Sequence, residues 1–175
     1  MSVVVLTQLA ALLWGVVAVY HQRPVAVVFS DTSFYTVPAL AVTNQGISLD
    51  TLDEFGSERP VYVFVQRPDS GADLERFERE VNELQIPPHE QVWLYEPLGE
   101  NFATISRSSI DIEEVMTANA DMKADIESLL EETGTALEDN YYIALTSRYR
   151  NIILVFDAEG QIIGTVSAPF KSGDV

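Results

Sequence analysis

The pattern of hydrophobic and polar positions divides the chain into two unequal parts. From Val3 to Tyr20 apolar residues run almost unbroken, and Thr7 and Gln8 are the only strongly polar side chains. Read as a helix, this stretch rises roughly 27 Å, close to the roughly 30 Å of a bilayer's hydrocarbon layer. Its apolar side chains surround the axis, whereas a helix lying on a soluble core needs only a stripe. Pro24 stops the helix and biases the residues before it towards an extended backbone. Tyr20, His21 and Arg23 stand at its C-terminal edge, the place for aromatic and cationic anchors at lipid headgroups. The pattern predicts a retained transmembrane helix over residues 1–23, with lipid around residues 3–20. A buried core helix is the soluble alternative. A cleaved signal peptide fits less well, because no Lys or Arg precedes the run and "VVAVYHQ" offers no small-x-small site.

The remaining residues, 24–175, read as one α+β domain, long enough for a single sizeable core. Val25–Phe29 and Phe34–Val37 are apolar runs separated by "SDTS", which predicts a hairpin. Residues 38–58 read as a loop with one helical turn around Leu49–Phe55. Pro60–Gln66 predicts a buried strand, and "QVWLYEP" reads as a further strand. Between them a helix capped by Asp69 or Ser70 carries Leu74, Phe77, Val81 and Leu84 and stops at Pro87 and Pro88. A second helix is expected from a cap at Ser108 to Gly134, with Ile112, Val115, Met116, Met122, Ile126, Leu129 and Leu130 on its apolar face. "NIILVF" and "QIIGTVS", joined by "DAEG", predict a final hairpin. The expected domain has a mainly antiparallel sheet and two main helices.

Charge narrows the functional classes. The chain carries 10 Lys+Arg against 27 Asp+Glu, a net charge of -17. None of this charge precedes Arg23, so it belongs to the domain. Nucleic acid is excluded as a partner, because phosphate binding needs clustered cations. There is no cysteine, which removes disulfides, thiol nucleophiles and thiolate metal sites.

Residues 111–139 concentrate acids, among them Asp121, Asp125, Glu127, Glu131 and Glu132, with Lys123 the single cation. They form either a solvated helix face or a docking face for a basic partner. Of the two histidines, His21 reads as an interfacial anchor. His89 lies in "PPHEQ", where Glu90 is placed to orient it, but no ligand motif accompanies it. Neither a nucleophile elbow, nor a zincin helix, nor a phosphate loop is present, and "DAEGQ" lacks the repeated acids of a calcium loop. No catalytic, metal or cofactor site is expected.

Residues 3–37 resemble the last transmembrane helix, and the strands after it, of the type IV pilin accessory proteins. The matching residues are Gln8-Leu9-Ala10-Ala11-Leu12, Gly15, Val19-Tyr20, Arg23-Pro24, Val25–Phe29 and Phe34-Tyr35-Thr36-Val37. The likeness is looser through "RPVYVFVQRP". Members of that family carry two further membrane helices before this one, so this chain reads as truncated or reduced. The resemblance implies an inner-membrane protein whose helix runs outward and whose residues 24–175 face the periplasm. Arg23, the one cation flanking the helix, points weakly to the opposite orientation.

The resemblance also implies a non-enzymatic role in pilin stability or pilus assembly, with the major type IV pilin as partner. Ala10, Ala11, Gly15 and Ala18 would then be the helix-packing residues, since small side chains let helices approach closely. The competing expectations are a membrane-tethered envelope enzyme, a thioredoxin-like unit built on "VYVFVQRPDSGADLERFEREV" without redox cysteines, or a general envelope binding module.

Overall fold

The computed structural model describes residues 2–147 and 151–168; residues 148–150 and 169–175 of the expected domain lie outside the described residues. Helix α1 (Ser2–Gln22) delivers the chain into strand β1 (Pro24–Ser30) across the single residue Arg23. Strand β2 (Ser33–Pro38) folds back on β1 as expected, with Asp31 in the left-handed region at φ 61° inside the two-residue turn.

The other strands are β3 (Val61–Val65), β4 (Tyr95–Pro97), β5 (Tyr141–Thr146), β6 (Asn151–Phe156) and β7 (Ile162–Ala168). They form one sheet in the order β4-β3-β1-β2-β5-β6-β7. Four pairings are antiparallel (β1–β2, β3–β4, β5–β6, β6–β7) and two are parallel (β1–β3, β2–β5). The sheet is therefore mainly antiparallel, as expected, but mixed. The parallel pairings arise where long connections carry the chain across the sheet instead of turning it back.

Alternation along the strands sorts their side chains onto two faces. On one face Phe29, Phe34, Phe64 and Phe156 meet edge-to-face or stacked at 5.2–5.9 Å between neighbouring rings. A short helix α4 (Phe102–Ile105) covers this cluster with Phe102 and Ile105. The opposite face holds two separate cores. Beneath β1 and β3, Val28, Val37, Val63 and Val65 pack with Val42, Leu52 and Val92. Beneath β5, β6 and β7, Tyr142, Ile153, Val155 and Val166 pack with Ile112, Met122 and Ile126.

Several helices differ from expectation. Residues 38–58 contain a helix, α2 (Ala39–Asn44), besides the expected turn at Leu49–Phe55, and it buries Ala39 and Val42. Helix α3 (Gly71–Asn82) starts at Ser70, whose hydroxyl bonds Asp69 rather than a backbone N–H of the helix. It ends before Leu84, which is 58% exposed. Its best-buried residue is Glu80, not one of the apolar stripe. Burial raises the Glu80 carboxyl pKa, but bonds from Arg76 and Trp93 (2.8 and 2.9 Å) and the charges of Arg76 and Arg79 more than offset this and hold it below the usual range.

Val92–Leu94 is a 3-10 turn, so the strand expected over "QVWLYEP" shrinks to Tyr95–Pro97. The turn buries both Val92 and Leu94. The helix expected from Ser108 to Gly134 is two: α5 (Ile112–Ala118) and α6 (Ala120–Thr133). Asp111, not Ser108, caps α5 by accepting from Glu114 N–H. Asn119 breaks the run in an extended conformation, and its side-chain oxygen accepts from Met122 N–H to start α6. A short amide side chain competes for backbone bonds in this way wherever the chain can leave the helix. Gly134 closes α6 in the left-handed region, as expected.

Candidate functional site: the exposed helix and the groove at its foot

Helix α1 is long and apolar enough to cross a membrane, and none of the window Val4–Gln22 is buried against the rest of the chain. Leu6, Leu12, Leu13 and Trp14 are 64–74% exposed on different sides of the axis. In water such a surface is strongly unfavourable; in lipid it needs no protein cover. Ala11, Gly15 and Ala18 recur at spacings of four and three, so they share one strip, whereas Ala10 stands about a quarter-turn away. A Cβ added at Gly15 would meet nothing within 4 Å.

The expected anchor residues come together at the foot of α1. The Arg23 guanidinium lies 3.8 Å from the Tyr20 ring centroid and donates to the Tyr20 carbonyl at 2.8 Å. A cation there caps the negative end of the helix and lies over the face of the aromatic ring. His21 meets Tyr20 edge-on at 6.0 Å. The Arg23 carbonyl in turn accepts from Ala39 N–H at 2.9 Å, which ties the helix exit to the start of α2.

Beside this joint opens a groove of ≈ 610 Å³, bordered by Gln22 and Pro24, by Tyr35 and Pro38 of β2, and by Leu145 and Thr146 of β5. It forms because β2 and β5 pair only at Phe34–Leu145 and Tyr35–Thr146. His89 and Glu90 line the same groove. The His89 ring stacks on Tyr35 with centroids 4.5 Å apart and planes 10° from parallel. Burial lowers the His89 pKa, with the Asp31 charge acting the other way. The His89 backbone carbonyl accepts from the Tyr95 hydroxyl at 2.6 Å. Glu90 does not orient the ring: its carbonyl takes the Gln45 amide at 3.0 Å, and burial raises its carboxyl pKa. Tyr35 is the partner that sequence spacing missed. Among the described residues no group of three His, Asp or Glu side chains is placed to hold a metal.

The acidic residues Asp121, Asp125, Glu127, Glu131 and Glu132 are all exposed on α6. Around the axis they span about 160°, all on the exposed side of the helix. Lys123 pairs with Glu127 at 3.7 Å, and Lys123 borders the furrow between α5 and α6. At about 100° per residue, Asp121, Asp125 and Glu132 lie together on the opposite flank, and Glu131 points outward between the two.

No family model, curated protein or solved structure matches this chain.

Proposed function

We propose that the protein is a non-enzymatic, membrane-anchored accessory factor that supports the stability or assembly of a type IV pilin, with residues 24–175 in the periplasm. The reading draws on the resemblance of residues 3–37 to pilin accessory proteins. The observation that carries it is that α1 stands clear of its own domain, leaving its whole circumference to lipid and to a second helix. A pilin held in the bilayer has one apolar helix and a periplasmic head, so a protein of the same layout can touch both parts. Ala11, Gly15 and Ala18 supply a strip where a partner helix can approach closely, with Ala10 at its margin. The short link through Arg23 then passes the position of α1 directly to the domain.

The test is Gly15→Leu, read by pilin level and by counting pili. The chain itself has room for the larger residue, so its own fold and abundance stay normal. Loss of pili under those conditions supports contact through this strip. Normal piliation with normal expression refutes it.

A further inference from the structure

The two edges of the sheet are built differently. The β4 edge is three residues long and ends in Pro97, a short edge of the kind that resists pairing with another chain. The β7 edge runs for seven residues, Ile162–Ala168, and contains neither a charge nor a proline. It pairs with β6 along its length, and among the described residues no strand lies on its other side. Such a strand offers a row of backbone donors and acceptors to an incoming segment.

The covering helix supplies the sign of the partner. A Cβ at Gly164 would sit 2.5 Å from a Leu129 methyl, so α6 rests directly on β7 through that contact. Leu129 leans away from the flank that carries Lys123 and borders α5. The flank beyond Leu129, away from α5, is the one bearing Asp121, Asp125 and Glu132. All three carboxylates are exposed, and none of them is in an ion pair among the described residues.

We propose that β7 receives an extended, cationic strand from a protein partner, which lengthens the sheet by one strand and sets Lys or Arg side chains opposite Asp121, Asp125 and Glu132. A second copy of this chain is the wrong occupant. Two β7 strands pairing across a two-fold axis would bring two acidic flanks together, each on a chain of net charge -17. The inference goes beyond the pilin reading, because the edge selects a strand by its chemistry and not by its owner.

The test uses the full chain in nanodiscs of zwitterionic phosphatidylcholine, with empty nanodiscs as blank. Three synthetic peptides as long as β7 are the probes: alternating Lys and Val, alternating Glu and Val, and the Lys peptide with a central proline. The Lys peptide is expected to bind, to weaken as salt rises, and to slow amide exchange within Ile162–Ala168. The proline peptide, short of strand hydrogen bonds, is expected to bind about tenfold more weakly. The triple change Asp121→Lys, Asp125→Lys, Glu132→Lys at exposed positions is expected to reverse the preference towards the Glu peptide. The comparison of Lys and proline peptides needs no variant, so it stands even where the triple variant folds poorly. Absence of Lys-peptide binding, equal binding of Lys and Glu peptides, or binding that leaves β7 exchange unchanged would overturn the proposal. So would β7 amides already protected without peptide in a chain that sediments as a dimer.

Discussion

A single arginine in the middle of α1 separates a lipid-embedded helix from one that merely protrudes into water. Leu13 is the midpoint of the 19-residue window Val4–Gln22 and is 66% exposed. On insertion scales Arg at a helix centre costs about 2.5–3.5 kcal/mol, and the leucine it replaces contributes about 0.3–0.6 in the other direction. The sum, about 3–4 kcal/mol, shifts the inserted fraction by a factor of roughly one hundred to one thousand. Snorkelling does not relieve it, because nine residues of helix put about 13 Å between Leu13 and Gln22. Val19 is the control: it is equally solvent-facing at 74% exposure but lies only about 4.5 Å along the axis from Gln22. Its arginine variant reaches the headgroups and costs about 1 kcal/mol or less. The assay is an insertion reporter fused to α1 alone, so that no partner helix compensates, with carbonate extraction of the full chain as the cellular counterpart. On a soluble reading both substitutions are surface changes worth about 0.5 kcal/mol or less, and neither alters fractionation. Leu13→Arg inserting as well as Val19→Arg, or wild-type protein remaining in the carbonate supernatant, refutes the membrane assignment.

Two further outcomes probe the domain. Gly160 has φ 81°, and a Cβ there would lie 2.7 Å from the Phe102 ring. Gly160→Ala therefore combines a backbone cost of about 1–2 kcal/mol with an overpacking cost of about 1–3 kcal/mol. Gly46→Ala, at φ 74° with open space around it, carries only the backbone part. Equal losses in denaturant melts of the two variants would show that α4 does not press on the β6–β7 loop. The second outcome concerns pH. Burial holds His89 below its ordinary value of 6.5, so the unfolded chain takes up this proton more readily than the folded one. The His89 contribution to stability is accordingly flat above about pH 6.5 and falls as pH drops through that value towards the folded pKa. His89→Phe keeps an aromatic ring against Tyr35 and removes that part of the loss; identical melting shifts between pH 7.5 and 5.5 in the two proteins would disprove the assignment. His21 and the carboxylates are common to both proteins and cancel in the comparison.

Much of the fold was legible where local pattern and tertiary burial agree. The β1–β2 hairpin, β3, and the β6–β7 hairpin combine continuous or alternating apolar runs with short turn segments, so their type and pairing follow from neighbours in the chain. The pattern misled where burial did not require periodicity. Val92 and Leu94 are buried by a 3-10 turn, which has no strand-like alternation to satisfy. Glu80 is buried on α3 because Arg76 and Trp93 satisfy its carboxylate, and no apolar-stripe argument finds such a residue. The apolar stripe from Ile112 to Leu130 hid the break at Asn119, because α5 and α6 both bury that stripe in one core.

The candidate sites were legible in proportion to how local they are. Tyr20, His21 and Arg23 lie within four consecutive residues, and the Tyr20 ring touches both of the others. The groove at its foot depends on the parallel meeting of β2 with β5, whose segments are separated by more than half the chain. The stacking of His89 on Tyr35 depends on a loop returning to β2, and residue spacing carries neither event. The acidic helix shows the same limit most sharply. Charge counting found its carboxylates and the apolar stripe gives the helix an outward side, but which flank borders α5 and which neighbours β7 depends on packing. The contact of Leu129 with Gly164 makes that division. It leaves Glu127 beside Lys123 and α5 and sets Asp121, Asp125 and Glu132 on the flank away from them, which is why the first pair stays out of the proposal for a strand added at β7 and the other three enter it.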